Sequence, residues 1–274
     1  MFRLIFMAGR AKIRQVNERN VLKSCRQMNP PAEKQNAQLM QRMFGVIAPR
    51  YDFVTRVLSY GMDRRWKRNA VREAALNDNC TVLDLACGTG DFSALVRQKF
   101  PCAACIGVDL TEPMLRLARE RGLENVACAD ATRLPFRDGS FNCIFIGYGL
   151  RNFPDLHAAI REVARVTREG GEIVTLDFFL PQNPFFRRVY LAYLFAQGAF
   201  WGLMLHGTPH AYTYIPDSLR NFVSADELSR ALERGGYERV RARSFILGGI
   251  GIHWARRCQA SQCETASLAS AVSP

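Results

Sequence analysis

The sequence predicts an α/β protein built on a doubly wound, mostly parallel sheet, and three observations carry that prediction. The stretch from Thr81 to Asp91 reads strand, tight glycine loop, helix. Strand-like runs then alternate with helix-like runs as far as Phe178. Glycines and acids recur where those strands end, and open α/β sheets bind their ligands outside the carboxyl ends of the strands.

The stretch at Thr81 organises the rest. Thr81, Val82 and Leu83 are residues of a buried strand. Gly88-Thr89-Gly90 breaks it, and Asp91 opens a helical run with an acid at the positive end of the helix dipole. Glycine has no side chain to hold a ligand away from the backbone. A lone Gly-x-Gly is a weak signal, and three features sharpen it. Asp84 stands four residues before Gly88, and Ser93 occupies the place where a dinucleotide-binding fingerprint has its third glycine. Asp109 ends a second apolar run, where an acid can accept hydrogen bonds from two ribose hydroxyls. Ala129-Asp130-Ala131 ends a third, where an adenine ring can lie on a small residue beside a carboxylate. Together they describe an adenosine site without a phosphate cradle, and S-adenosyl-L-methionine is such a ligand. The plainer alternative is an ordinary strand-turn-helix with unconnected acids.

In chain order, residues 1–37 read as a basic, disordered extension. Seven Lys or Arg face only Glu18 within its first 27 residues, half of the net charge of +12. A weak transit peptide, or a start at Met28 or Met40, would also fit, and Asn29-Pro30-Pro31 reads as linker. Residues 38–75 form a helical cap: Met40, Met43, Phe44, Ile47, Tyr51, Val54, Val57 and Leu58 recur at helical spacing, interrupted by Pro49. The cap is either a plain packing pair or a cover that brings Tyr51 and Asp52 to the site. The run Arg64-Arg65-Trp66-Lys67-Arg68 reads as a solvated face, with phospholipid contact as the sharper alternative.

Strands are expected at 81–85, 104–109, 126–129, 142–147 and 172–178, with helices at 91–99, 113–121 and 156–167 between them. Thr111 is the expected N-cap of the second helix, with Pro113 in its first turn. Gly170-Gly171 is expected to stop the third. Gly88, Asp109, Asp130 and Gly147 fall at strand ends, which places them around one pocket. Residues 184–222 form an insertion expected to cover the substrate. Its stretch 189–205 carries no charge, yet at about 17 residues it falls short of the roughly 20 that span a bilayer. It reads as a packing helix, or as one that also lines an apolar channel. A polar loop with His206, His210, Tyr212 and Tyr214 follows. Ser224 and Glu227 form a capping box that opens a last helix, and Gly235-Gly236 closes it. Residues 240–247 and 250–255 make a closing hairpin, seven strands in all, so the domain spans 38–257. The Ser/Ala-rich tail 258–274 reads as disordered.

The nine cysteines suggest a reducing compartment rather than a disulfide framework, since Cys80, Cys105, Cys128 and Cys143 fall in apolar strand patterns. The CxxC at Cys102 lacks the second pair a metal site wants, so no metal is expected. A pI of about 9.6 suits nucleic acid or an anionic membrane, but no basic module with stacking aromatics is present, so no nucleic acid partner is expected.

Asp84-x-x-x-Gly88-x-Gly90, the acid at Asp109, Asp130-Ala131 and the two-stranded ending resemble the class I S-adenosylmethionine-dependent methyltransferases. The likeness narrows with Phe44 to Asp52, Leu58-Ser59-Tyr60-Gly61 and Trp66-Lys67-Arg68. Leu134-Pro135-Phe136, Gly149-Leu150-Arg151-Asn152, Leu176-Asp177-Phe178, Tyr212-x-Tyr214 and Gly251-Ile252-His253 extend it. From about residue 40 to 256 the chain is similar to the ubiquinone/menaquinone biosynthesis C-methyltransferase family. The resemblance implies a Rossmann-like sheet with an antiparallel hairpin and helical cap, and S-adenosyl-L-methionine as cofactor. It implies a polyprenyl quinol as substrate, most of all demethylmenaquinol. It also implies a cytoplasmic protein, peripheral at the inner face of the membrane, alone, as a homo-oligomer or in a biosynthetic complex. By position, Asp84, Gly88, Thr89, Gly90, Asp109, Asp130, Ala131 and Gly147 would hold the cofactor, and Tyr51, Tyr148 and Tyr212 the substrate. Gly147, Cys87 and Thr55 stand where the family commonly has serine, glycine and asparagine.

A quinol ring carbon is a poor nucleophile until its neighbouring hydroxyl loses a proton. Arg151 is the expected stabiliser of the phenolate, Asn152 an orienting group, and Asp52, His206 or His210 the proton acceptor. Arg151 in a structural salt bridge is the plainer reading. The competing functions are methylation of a soluble small molecule or of RNA, and a non-catalytic scaffold that keeps the fold.

Overall fold

The structure, a computed structural model, describes residues 44–45, 48–207 and 214–259. The extension 1–37, Met40, Met43, the loop with His210 and Tyr212, and the tail past 259 lie outside them, as do the side chains of Pro49, Tyr51, His206 and Tyr214.

Seven strands form one sheet: β1 (Thr81–Leu85), β2 (Ala104–Asp109), β3 (Val126–Cys128), β4 (Phe141–Gly147), β5 (Thr167–Phe178), β6 (Tyr237–Phe245) and β7 (Ile250–Arg257). Their order is β3-β2-β1-β4-β5-β7-β6. The pairings from β3 through β5 are parallel, and β7 runs antiparallel to both β5 and β6. Successive side chains on a strand point to opposite faces. Val82 of β1 and Cys143 and Phe145 of β4 therefore join one buried cluster, while Leu83, Leu85, Ile144 and Ile146 join the other. Both faces being covered explains why these strands read as unbroken apolar runs.

The first cluster is roofed by α1 (Tyr51–Leu58), α2 (Asp63–Glu73), α3 (Asp91–Lys99) and α6 (Pro184–His206). The second is covered by α5 (Leu156–Val166) and α8 (Ala225–Arg234). The helices α4 (Glu112–Glu120) and α7 (Tyr214–Arg220) complete the set. Trp254 of β7 is 2% exposed and donates its indole N–H to the Ala70 carbonyl, 3.2 Å away, which pins α2 to the sheet. Register places the site: Leu85 pairs with Val108 on one side and Ile146 on the other. The loops after β1, β2 and β4 thus leave the sheet at one level.

Four local expectations are corrected. The third predicted helix ends at Val166, and Gly170-Gly171 lies inside β5 rather than stopping the helix. Gly170 has φ +70°, and a Cβ on Gly171 would sit 2.9 Å from two backbone oxygens. The pair serves an irregularity in the β4–β5 register, and a bulge and a helix stop ask for the same residue. Thr111 stands at the N-cap of α4, but its side chain makes no capping bond; its hydroxyl, like its N–H, bonds Asp109. β3 stops at Cys128, one residue short of the expected end. β6 begins at Tyr237, directly after the glycines that close α8. Among the described residues no helix is long and apolar enough to cross a membrane.

The capping box at Ser224 is present: its hydroxyl accepts from the Glu227 N–H at 3.2 Å, and its own N–H donates to the Glu227 carboxylate at 2.7 Å. Ser224→Ala should lower stability by about 1 kcal/mol. Urea denaturation followed by far-UV circular dichroism checks this.

Candidate active site

The glycine loop is held from below by two acids. Asp84 is 2% exposed and accepts from both the N–H and the hydroxyl of Ser93, at 2.9 and 2.8 Å. It ties the first turn of α3 to β1, so Ser93 secures by hydrogen bonds the closeness that a third glycine secures by size. Burial pushes the Asp84 carboxyl up to about 7, against the pull of the Ser93 donors. Asp109 accepts from the Gly88 N–H at 2.9 Å and from the Thr111 N–H at 2.8 Å. Burial raises its carboxyl too, and these N–H groups oppose the rise. The loop is conformationally tight: Ala86, Gly88 and Gly90 all have positive φ, at 53°, 53° and 83°. At Gly88 a Cβ would meet nothing within 4 Å, so its own φ demands the glycine and the space above the backbone is open.

A cavity opens between this loop and the end of β4, walled by Asp84, Gly88, Thr89, Phe92, Gly147 and Tyr148. Gly147 is packed against Phe92: a Cβ there would lie 2.6 Å from that ring, which is itself stacked on Phe145 at 4.9 Å. This accounts for glycine where the family commonly has serine. Tyr148 follows with φ +58°, a strained conformation that aims its ring across the cavity.

An ionic chain rims the mouth. Lys67 is buried, with its ammonium 2.9 Å from Asp63 and 2.7 Å from Asp91. Burial alone would lower its pKa; the two carboxylates outweigh that and raise it. Burial pushes Asp91 up, but Lys67 and then Arg121 bring its carboxyl below the usual range. The Tyr148 hydroxyl donates to Asp63 at 2.8 Å, and the Lys67 ammonium lies 5.4 Å from the Tyr148 ring centre. Arg121 reaches Asp91 at 3.6 Å and is ion-paired with Asp52, which also accepts from the Thr89 hydroxyl at 2.9 Å. Asp52 thereby fastens α1 onto the glycine loop.

A buried cluster of rings around one ion pair lies past the ends of β4 and β5. The Arg151 guanidinium meets Asp177 at 2.5 Å, and the two side chains are 2% and 0% exposed. It also lies 5.1 Å over the Phe178 ring, which leans on Tyr148 at 5.0 Å. Tyr190 of α6 feels this pair: burial raises its hydroxyl, and Arg151 opposes the rise. Asn152 donates to the Tyr148 carbonyl across 3.4 Å.

The cavity therefore unites Asp84, Gly88, Thr89, Gly147 and Tyr148. Gly90 starts α3, and Asp109 stands behind the loop. Asp130 lies one strand farther out, with one oxygen taken by the N–H and hydroxyl of Thr132 at 2.8 Å, beside buried Ala131. His253 is buried between Thr175 and the Ala225 carbonyl, a core position. Tyr212 and His210 lie outside the described residues. No group of three metal-ligating side chains occurs among the described residues. Sequence reading missed Asp63, Lys67, Asp91, Phe92 and Arg121. Lys67 looked like one more cation of a solvated run, but it shares its helix face with Asp63 and Ala70, four residues back and three on; Arg64, Arg65 and Arg68 are the exposed ones. That phase was the available signal.

The strand order, the acid-held glycine loop and the cavity at the strand ends define a class I S-adenosyl-L-methionine-dependent methyltransferase. A solved structure from Thermotoga maritima, described as a possible histamine N-methyltransferase, has this fold with a TM-score of 0.58 at 18% identity, covering 80% of this chain and 99% of that one. The chain belongs to the ubiE/COQ5 methyltransferase family, which it matches over residues 32–257. It is 39% identical over 216 residues to the demethylmenaquinone methyltransferase of Thermus thermophilus, covering 77% of this chain and 98% of the relative. The Deinococcus radiodurans enzyme of that name is 36% identical over 230 residues, covering 81% and 95%. S-adenosyl-L-methionine is the cofactor of this family, and the bare, open backbone at Gly88 suits it.

The Asp84 proton has a consequence for stability. Its folded pKa lies above the unfolded value of about 4, so the folded chain keeps a proton that the unfolded chain releases. That contribution is full below pH 4 and is lost as pH rises to about 7. Asp84→Asn, which mimics the protonated acid, should gain on the parent across that window. Urea midpoints at pH 4.5 to 7.5 test it; a constant gap between the two proteins would contradict it.

Proposed function

We propose that this methyltransferase methylates a ring carbon of a polyprenylated quinol, converting demethylmenaquinol to menaquinol. The observation that carries the reading is the likeness to demethylmenaquinone methyltransferases along nearly their whole length. Tyr148 lines the cavity at the cofactor loop and leans on buried Phe178, which places aromatic rings beside the site, in keeping with a flat ring as acceptor.

The cofactor supplies an electrophilic sulfonium methyl when bound. Asp109, Asp130 and Ala131 are assigned the adenosine half, and Gly88, Thr89 and Gly147 the methionyl half. The chain's own task is to hold the quinol ring, keep water out and ease loss of the hydroxyl proton. Arg151 stays cationic at any working pH and would stabilise the phenolate from its place over Phe178. Asn152, bonded to the Tyr148 carbonyl, keeps that turn in place. Asp52 fits the proton-acceptor role less well, because Thr89 and Arg121 engage one oxygen each. Asp177 fits it better: burial raises its carboxyl, Arg151 opposes that, and the pair lies behind Phe178, the ring that leans on Tyr148 at the cavity wall.

Quinones extracted from a host lacking its own enzyme, with and without this chain, decide the substrate by mass. One added methyl on demethylmenaquinone is expected. A methyl only on a benzoquinol intermediate would change the pathway, and no shift despite cofactor binding would favour a soluble acceptor. Removing Arg151 outright would strand a buried carboxylate and cost about 3–5 kcal/mol, so the informative variant is Arg151→Lys. It should lower kcat about a hundredfold while leaving cofactor affinity intact. Parallel loss of kcat and cofactor affinity would assign Arg151 a structural role.

A further inference from the structure

The site uses one face of α6 and leaves the opposite face without a task. Tyr190, Leu194, Gly198 and Gly202 recur every four residues and are all buried. Phe185, Val189, Phe195, Phe200, Leu203 and Met204 point the other way and are each 54–69% exposed. No charged residue occurs from Val189 to His206. A helix apolar on every side belongs either inside a protein or against lipid. At 23 residues α6 is about 35 Å long, yet it does not qualify as a span, so the fitting position is in the plane of an interface.

The neighbourhood of the stripe decides its occupant. α1 lies alongside, with Tyr60 stacked on Tyr193 at 4.9 Å and Phe53 edge-on to Trp201 at 5.0 Å. It and the turn after it add exposed Phe53 and Tyr60 to the apolar surface, with exposed Arg56 between them. Arg187 and Arg188 are exposed at one end of α6, and exposed Arg50 donates to the Leu205 carbonyl at the other. No Asp or Glu lies between Asp177 and Asp217. Two copies meeting through this face would set arginine against arginine. Phosphate headgroups above acyl chains complement both the rim and the stripe.

We propose that the outer face of α6, with Phe53 of α1, Tyr60 in the turn after it and the arginines beside them, lies in the headgroup–acyl boundary of an anionic phospholipid bilayer. This holds whether or not the acceptor is a quinol, and the test uses vesicles that contain none. The full chain is sedimented with vesicles of phosphatidylcholine and phosphatidylglycerol, and with phosphatidylcholine alone. Binding to the anionic vesicles, weakened by salt, is expected. Phe195→Glu with Leu203→Glu should lower the partition coefficient about tenfold or more at unchanged thermal melting and cofactor affinity. The unmutated chain supplies a second readout. Trp66 and Trp254 are 2% exposed, so quenching by brominated acyl chains reports Trp201, beside the stripe, and quenching is expected. No sedimentation, no quenching, or equal binding by the variant would overturn the proposal. A dimer without vesicles that the variant dissolves would instead make the stripe a contact between copies.

Discussion

The bond from Ser93 to the Asp84 carboxylate is the joint on which the site hangs. It draws the first turn of α3 against β1 and so sets where Asp91 stands. Asp91 then meets Lys67, Lys67 meets Asp63, and Asp63 receives the Tyr148 hydroxyl from the far side of the cavity. Through Arg121 the same chain reaches Asp52 and Thr89, and with them α1. Apart from Arg121 at its exposed end, each charge in this series is half-buried or buried, and a buried charge is tolerable only when paired. The constellation therefore stands or shifts as a unit.

The cavity and the ring cluster use different physics. Around the glycine loop the recognising groups are backbone and carboxylate, suited to a polar cofactor. Past β4 and β5 they are rings, with one ion pair sealed among them. Tyr148 belongs to both, since its hydroxyl closes the ionic rim while its ring leans on Phe178. Methyl transfer needs its two substrates in line and dry, and Tyr148 is the residue that links the polar loop to the buried rings. The fold alone does not choose the acceptor, because structures of under 20% identity share it; the family likeness narrows the choice.

Much of this was legible beforehand. The limits of β1, β2 and α3, the helical stretch at 184–206 and the capping box at Ser224 all follow from periodicity and local residue chemistry. So did the glycine loop and the acids at Asp84 and Asp109. The failures were local ambiguities or distant partners. Gly170-Gly171 reads alike as a helix stop or a bulge, and only the β4 pairing separates them. Thr111 looked like a cap by position, but Asp109, two residues back, engages its hydroxyl.

By itself, then, the sequence determined the order and kind of the elements, the acid-flanked loop and the apolar character of α6, because those are set by residues within a turn or a strand of one another. Tertiary structure decided which of several similar charges carries weight. Lys67 finds Asp91 across 24 positions, Arg151 finds Asp177 across 26, and Thr89 finds Asp52 across 37. Such partners are chosen by strand register and by how helices cross the sheet, and no local period encodes either.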